Sequence, residues 1–300
     1  MKEPMSTSGK GRLVARTLAG SWRRAGRAPL QLSQAELDEV TPLLYGSGGA
    51  ALGWWRVRET ELRSSPSAEV LHQAYQLQVL QSGIHEQKVQ KVFRLLRAES
   101  IEPILVKGWS AALVYPDQAL RPYGDIDICV QPKDFKAAEI VLAGPEANDC
   151  WVDLHKRFEE IGERSVEELL SRSLLVDLNG EKIRILSPED HLALLAIHLL
   201  KHGAWRPLWL CDIGAVVESV SSDFDWSLCL GRNEKKASWV ICVIGLANLL
   251  LDAEIDHLAF AKKARELPGW LVATVLKQWN APFSINQPPM NHPGLTATRH

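Results

Sequence analysis

The stretch that decides the fold is Arg121-Pro-Tyr-Gly-Asp-Ile-Asp-Ile-Cys-Val130. After Gly124 the chain alternates, with Asp125, Asp127 and Cys129 on one side of an extended segment and Ile126, Ile128 and Val130 on the other. A period of two predicts a strand with one face in an apolar core, and it sets the two carboxylates on the same face, Cα atoms about 6.6 Å apart. Upstream, Pro103-Ile-Leu-Val106 is a compact apolar run that reads as another strand, and Trp151, Asp153 and His155 alternate with Val152 and Leu154 in a third. Asn179-Gly180, between apolar runs at 174–178 and 182–186, is a two-residue hairpin signal that adds two more. Between strands, Trp109 to Tyr115 and 132–142, closed by Gly144, have helical character.

Around these strands the period is helical. Ser33 and Glu36 form a capping box ahead of Leu37, Val40, Leu43 and Leu44, and Gly46-Ser-Gly-Gly49 then reads as a flexible turn; with no Lys-Ser/Thr after it, it is a poor phosphate loop. Ser65-Pro66 opens a long helix whose apolar spacing runs through Val70, Leu77, Leu80, Ile84, Val92, Leu95 and Leu96. Beyond Ser187-Pro188 the helical period occupies 188–202, 207–220, 225–232 and 237–251. Strands first and helices afterwards predict an α+β protein. The expected parts are a basic flexible arm (1–30), an N-terminal helical segment (31–100), an α+β core (101–186), a helical C-terminal domain (187–280) and a loosely ordered, proline-rich tail (281–300).

Composition narrows the function. The chain has 300 residues, 46% of them hydrophobic and 23% charged, which excludes a fibrous or wholly disordered protein. With 34 basic and 36 acidic side chains, bulk charge does not mark a polyanion binder. Five cysteines (129, 150, 211, 229 and 242) contain no C-x-x-C pair, which argues against a disulfide framework or zinc knuckle and predicts a reducing, cytoplasmic compartment. The longest apolar run, 237–251, falls short of the ~20 residues a membrane span needs, so no membrane partner is expected. Seven Lys/Arg against the lone acid Glu3 in the first 30 residues can mimic a transit peptide; a solvated basic arm is the reading preferred.

If the strands carrying Asp125, Asp127 and Asp153 are neighbours, three carboxylates converge. Two unit charges 4 Å apart repel by about 4 kcal/mol at an effective dielectric of 20, so such a cluster calls for a divalent cation, and oxygen donors favour Mg²⁺ or Mn²⁺ over zinc. At the end of the first strand, Lys107-Gly108-Trp109-Ser110 can turn backbone N–H groups toward an anion, with Lys107 adding a charge and Arg121 a second, bidentate one. Carboxylates on one side and phosphate donors on the other suit a metal-bound nucleoside triphosphate (NTP). His191, His198 and His202 form one helical stripe; no Glu or Cys completes a zinc set beside them, and His202 before Gly203 suits a helix C-cap, or a contact with phosphate at the cleft. Trp209, Trp226 and Trp239 read as core, whereas Trp109 is placed to meet a base or ribose.

Leu105-Val-Lys-Gly-Trp-Ser-Ala-Ala-Leu-Val-Tyr-Pro116, Arg121 to Val130, Val152-Asp-Leu-His155 and the segment from Ser187-Pro-Glu-Asp190 through His198-Leu-Leu-Lys-His-Gly203 to Trp209-Leu-Cys-Asp212 resemble the bacterial uncharacterised nucleotidyltransferase family of the polymerase-β-like superfamily. The resemblance covers roughly residues 35 to 255, with the superfamily's usual Gly-Gly or Gly-Ser step replaced by Gly108-Trp109 and a short interval from Ile140 to Trp151. It implies a small mixed sheet with packed helices and transfer of a nucleoside monophosphate from NTP to an acceptor, with release of pyrophosphate. Asp125 and Asp127 would bind both ions, and Asp153 would complete the catalytic one and help deprotonate the acceptor. Lys107, Gly108, Ser110, Arg121 and His202 are the expected phosphate contacts. The acceptor, whether small molecule, protein or tRNA, and the oligomeric state are not readable; the alternative is a catalytically silent nucleotide-binding scaffold.

Overall fold

The computed structural model describes residues 9–26 and 28–280. Four helices come first: α1 (Gly9–Leu18), α2 (Gln34–Ser47), α3 (Ala50–Val57) and α4 (Pro66–Ala98). The sheet region follows as β1 (Ile104–Leu105), α5 (Gly108–Ala112), β2 (Ile126–Cys129), α6 (Phe135–Leu142), β3 (Val152–His155), α7 (Val166–Arg172), β4 (Leu174–Leu178) and β5 (Glu181–Ile185). Helices α8 (Pro188–Lys201), α9 (Pro207–Ser219), α10 (Trp226–Leu230), α11 (Glu234–Leu251), α12 (Ala261–Arg265) and α13 (Gly269–Gln278) complete it. The α+β class is as the sequence pattern predicts, and the mixed sheet is as the resemblance implies.

Local chemistry sets the helix ends. The Ser33 hydroxyl accepts from the Glu36 amide at 3.3 Å while Glu36 Oε2 accepts from the Ser33 amide at 2.8 Å, the reciprocal capping box. Gly48, at φ 79°, ends α2 in the left-handed region that favours glycine. Ser65 caps α4 with Pro66 in its first turn, and the 33 residues that follow span about 50 Å at ~1.5 Å per residue.

The sheet order is β3-β2-β1-β5-β4, antiparallel between β1 and β2 and between β4 and β5, parallel between β1 and β5 and between β2 and β3. Its two faces meet different partners. Leu105, Ile126, Ile128, Ile183 and Ile185 pack with Val89, Val92, Phe93 and Leu96 of α4 and Ala138 of α6. Ile104, Val106 and Cys129 instead join the core of the helical body. Because side chains alternate along a strand, Asp127 shares the Cys129 face and looks toward that body.

Two expectations change. Gly9–Leu18 is a helix whose Leu13, Val14 and Leu18 are buried with α2, α11 and α13 residues such as Leu44, Ala247 and Leu276, so the solvated arm does not extend over it. The helices before the sheet and those after it also share this one core, so the expected N-terminal segment and C-terminal domain form a single body. Residues 1–8 of the expected arm and the expected tail at 281–300 lie outside the described residues. In α4 the helical period holds, but Val70, Leu77, Leu80 and Ile84 face solvent while Ala68, Leu71, Gln78, Ser82 and His85 lie inside. No helix among the described residues is long and apolar enough to cross a membrane.

Candidate active site

The parallel register of β2 and β3 sets Asp127 opposite Asp153 and Cys129 opposite His155. Donor atoms of Asp127, Asp153 and His155 all lie within 4.8 Å of one another. The imidazole bridges the acids: His155 Nε2 is 3.3 Å from Asp127 Oδ1 and 3.2 Å from Asp153 Oδ2. Asp127 is buried, whereas the Asp153 side chain on the edge strand is 59% exposed, so the group opens to solvent on one side only. His155 was not singled out from the sequence; it is two residues after Asp153, and strand alternation places both on one face.

Lys107 closes the other side, with Nζ 2.6 Å from Asp127 Oδ1. Burial alone would raise the Asp127 pKa; the hydrogen bond from His155 and the charge and hydrogen bond of Lys107 overcome it and hold the carboxyl below its ordinary range. The turn that delivers this lysine is strained. Lys107 has φ 54° and Gly108 φ 44°, two successive residues in a region that non-glycine residues avoid. It is held by the Ser110 hydroxyl, which donates to the Lys107 carbonyl at 2.7 Å, and by the Val106 amide, which donates to the Asp127 carbonyl at 3.0 Å. Ser110 is thereby turned inward rather than toward a cleft, and Trp109 is buried in the sheet core with Nε1 donating to Gln118, not placed to stack on a base.

Asp125 falls one residue ahead of β2, exposed, and is not a member of the three-residue group. Arg121 corrects a second expectation. Its guanidinium donates to both oxygens of Asp212 on α9, with Nη2 2.7 Å from Oδ2, and its Nη1 donates to the Pro122 carbonyl. Tyr115 donates to the same carboxylate at 2.8 Å. Both charged groups are buried, so the fork is spent on its counter-charge and is not offered to phosphate. The pair instead ties the loop before β2 to the helical body.

That body supplies the facing wall. His202 caps α8, its ring 4.4 Å from that of His198 and 5.5 Å from that of Trp209, and His198 meets Trp209 edge-on at 4.9 Å. Burial, aided by the charge of Lys107, pushes the His198 pKa down to about 3, and burial with Lys201 and Lys107 lowers that of His202. These rings therefore stay neutral within electrostatic reach of Lys107. His191, the third member of the stripe, is buried, and its Nε2 has no hydrogen-bond partner among the described residues. Among the described residues the stripe offers no metal set; the group that does is the one on β2 and β3.

The donor chemistry of that group fits a divalent cation: two carboxylates and an imidazole on adjacent strands, with the Lys107 ammonium beside Asp127 as the counter-charge. The family model described as uncharacterised nucleotidyltransferase matches residues 33–148 and 144–251, which takes in the sheet, the acidic group and the wall formed by α8 and α9. No curated protein and no solved structure matches the chain.

Proposed function

Since the chain belongs to the uncharacterised nucleotidyltransferase family, with more than half its length matched, we propose that it transfers a nucleoside monophosphate from an NTP to an acceptor in a reaction that depends on a divalent cation. The observation that carries this reading is the Asp127–Asp153 register, which presents two carboxylates and His155 together beside Lys107. Asp127 and Asp153 would hold Mg²⁺ or Mn²⁺, with His155 as a nitrogen donor or as the group that orients both acids. When bound, the cation neutralises the polyphosphate and lowers the pKa of the attacking hydroxyl.

The chain's own groups do the rest. Lys107, 2.6 Å from Asp127 Oδ1, is the ammonium the chain holds at this site and would pair with a phosphate of the nucleotide. Gly108 lets the backbone turn at that point without a Cβ, its φ being positive. Asp153, the exposed acid, accepts the proton of the acceptor hydroxyl as its oxygen bonds to the α-phosphorus; the bond to the bridging oxygen breaks and pyrophosphate leaves. His202 and its ring neighbours bound the nucleotide side of the cleft. The test is to incubate the protein with each NTP labelled on the α-phosphate, Mg²⁺ or Mn²⁺ and a broad panel of acceptors. Pyrophosphate release that requires the cation and vanishes in Asp127→Asn supports the reading. NTP binding without turnover across the panel would favour the silent scaffold instead, a state in which Lys107 stays on Asp127.

A further inference from the structure

Arg206 stands at the turn between α8 and α9, directly before Pro207, and is half-buried. Its Nε donates to the Ser47 carbonyl at 3.0 Å. Its Nη2 lies against Gly48, where an added Cβ would come within 2.5 Å of it, and its guanidinium carbon is 5.9 Å from the centre of the Trp209 ring. No carboxylate among the described residues is within ion-pairing distance. Two other enclosed arginines differ: Arg121 has Asp212, and Arg164 has Asp190 at 2.6 Å. A half-buried cation with one carbonyl at the end of α2 and an aromatic face for company has no counter-charge of the kind those two have. Burial and then the nearby charge of Arg121 bring its pKa down to about 10, only partly offset by Asp212 and Asp125.

Its neighbours locate it. Asp125, just ahead of β2, lies within its electrostatic reach, and through Trp209 it belongs to the His198–His202 wall that feels Lys107. The guanidinium is thus a held positive charge with no carboxylate partner among the described residues, on the turn between α8 and α9 beside the ring cluster of Trp209, His198 and His202. We propose that Arg206 is an anion-binding residue that receives a phosphate group of the ligand in this cleft, the part expected of Arg121. The identity of that phosphate as the polyphosphate of an NTP rests on the proposed nucleotidyl transfer; the anion site itself does not.

The experiment measures the melting temperature of the full chain in EDTA, with and without inorganic tripolyphosphate, for the wild type, Arg206→Met and Arg206→Lys. Tripolyphosphate is expected to stabilise the wild type and not Arg206→Met, with Arg206→Lys between them and the dissociation constant by equilibrium dialysis weakened about tenfold or more in Arg206→Met. Without ligand, Arg206→Met is expected to melt at or above the wild-type temperature, because the charge without a counter-charge is gone. A response to glycerol phosphate in place of tripolyphosphate, equally lost in Arg206→Met, upholds the anion site and assigns it to a phosphorylated acceptor. No stabilisation of the wild type by either anion, or a response kept in full by Arg206→Met, overturns the inference. Since EDTA removes the cation, that failure leaves nucleotidyl transfer untouched, and an absence of transfer leaves an Arg206-dependent response standing.

Discussion

Asp127 Oδ1 receives the Lys107 ammonium and the His155 ring together, so the charge of this one oxygen governs the group. Replacing His155 by Gln removes the bridge to Asp153 but leaves Lys107 in place. The expected result is a 10- to 100-fold loss of cation affinity, at roughly the scale known for ligand-orienting groups, with the melting temperature little changed. Titration with Mn²⁺ followed by electron paramagnetic resonance checks it, and an unchanged affinity would remove His155 from the site. His191 yields a prediction about pH. Its folded-state pKa is pushed down to about 4 by burial, while an unfolded histidine titrates near 6.5. Between these values the unfolded chain binds the extra proton, so stability is full above pH 6.5 and falls as pH drops toward 4, by up to about 1.4 kcal/mol per pH unit. His191→Leu also removes an orphaned Nε2. It is expected to stay within about 1 kcal/mol of wild type at pH 7.5 and to flatten the loss between pH 6.5 and 5, as read by urea denaturation at several pH values. An unaltered slope would show that this ring does not titrate as described.

At the scale of elements, one tie between the sheet region and the helical body is the Arg121–Asp212 pair, and its value lies in what is left when one side is removed. Asp212→Ala strands a buried guanidinium and the Tyr115 hydroxyl, and a loss of about 3–5 kcal/mol is expected by denaturant unfolding. A loss below about 1 kcal/mol would mean that the loop carrying Arg121 can swing into water. Helix α1 was hidden from sequence reading by its charges. Lys10, Arg12 and Arg16 lie among Leu13, Val14, Thr17 and Leu18, whose spacing of one, four and five residues marks an apolar face, but composition reads as an arm. Leu18→Ala is expected to cost about 2–5 kcal/mol by the same measurement, where a solvated arm would lose nothing. In α4 the helical period is visible, yet the larger apolar side chains at Leu77, Leu80 and Ile84 are outside and Gln78, Ser82 and His85 inside, because the face is chosen by what α2, α3 and the sheet present to it.

Across the whole molecule, the parts legible in the sequence are those fixed by short-range rules. Alternation in 125–130 and 151–155, the Asn179-Gly180 turn and the Ser33–Glu36 box name strands, hairpin and cap directly, and the same alternation puts Asp127 and Asp153 on one face once β2 and β3 pair as neighbours. What escapes is which charge meets which across the chain. Arg121 and Arg206 look alike in sequence, and only the packing of α9 gives one an aspartate and leaves the other without; the same long-range closure keeps Asp125 out of the group that His155 enters. The family match covers the sheet and both walls of this cleft, so the account stands or falls on what the cleft holds. The most direct measurement is anomalous diffraction from a crystal soaked with Mn²⁺ and a non-hydrolysable NTP. The account predicts manganese coordinated by Asp127 and Asp153, Lys107 moved from Asp127 onto the phosphates, and Arg206 on a phosphate oxygen. Manganese bound elsewhere, with Lys107 still paired to Asp127 beside an occupied nucleotide, would contradict it.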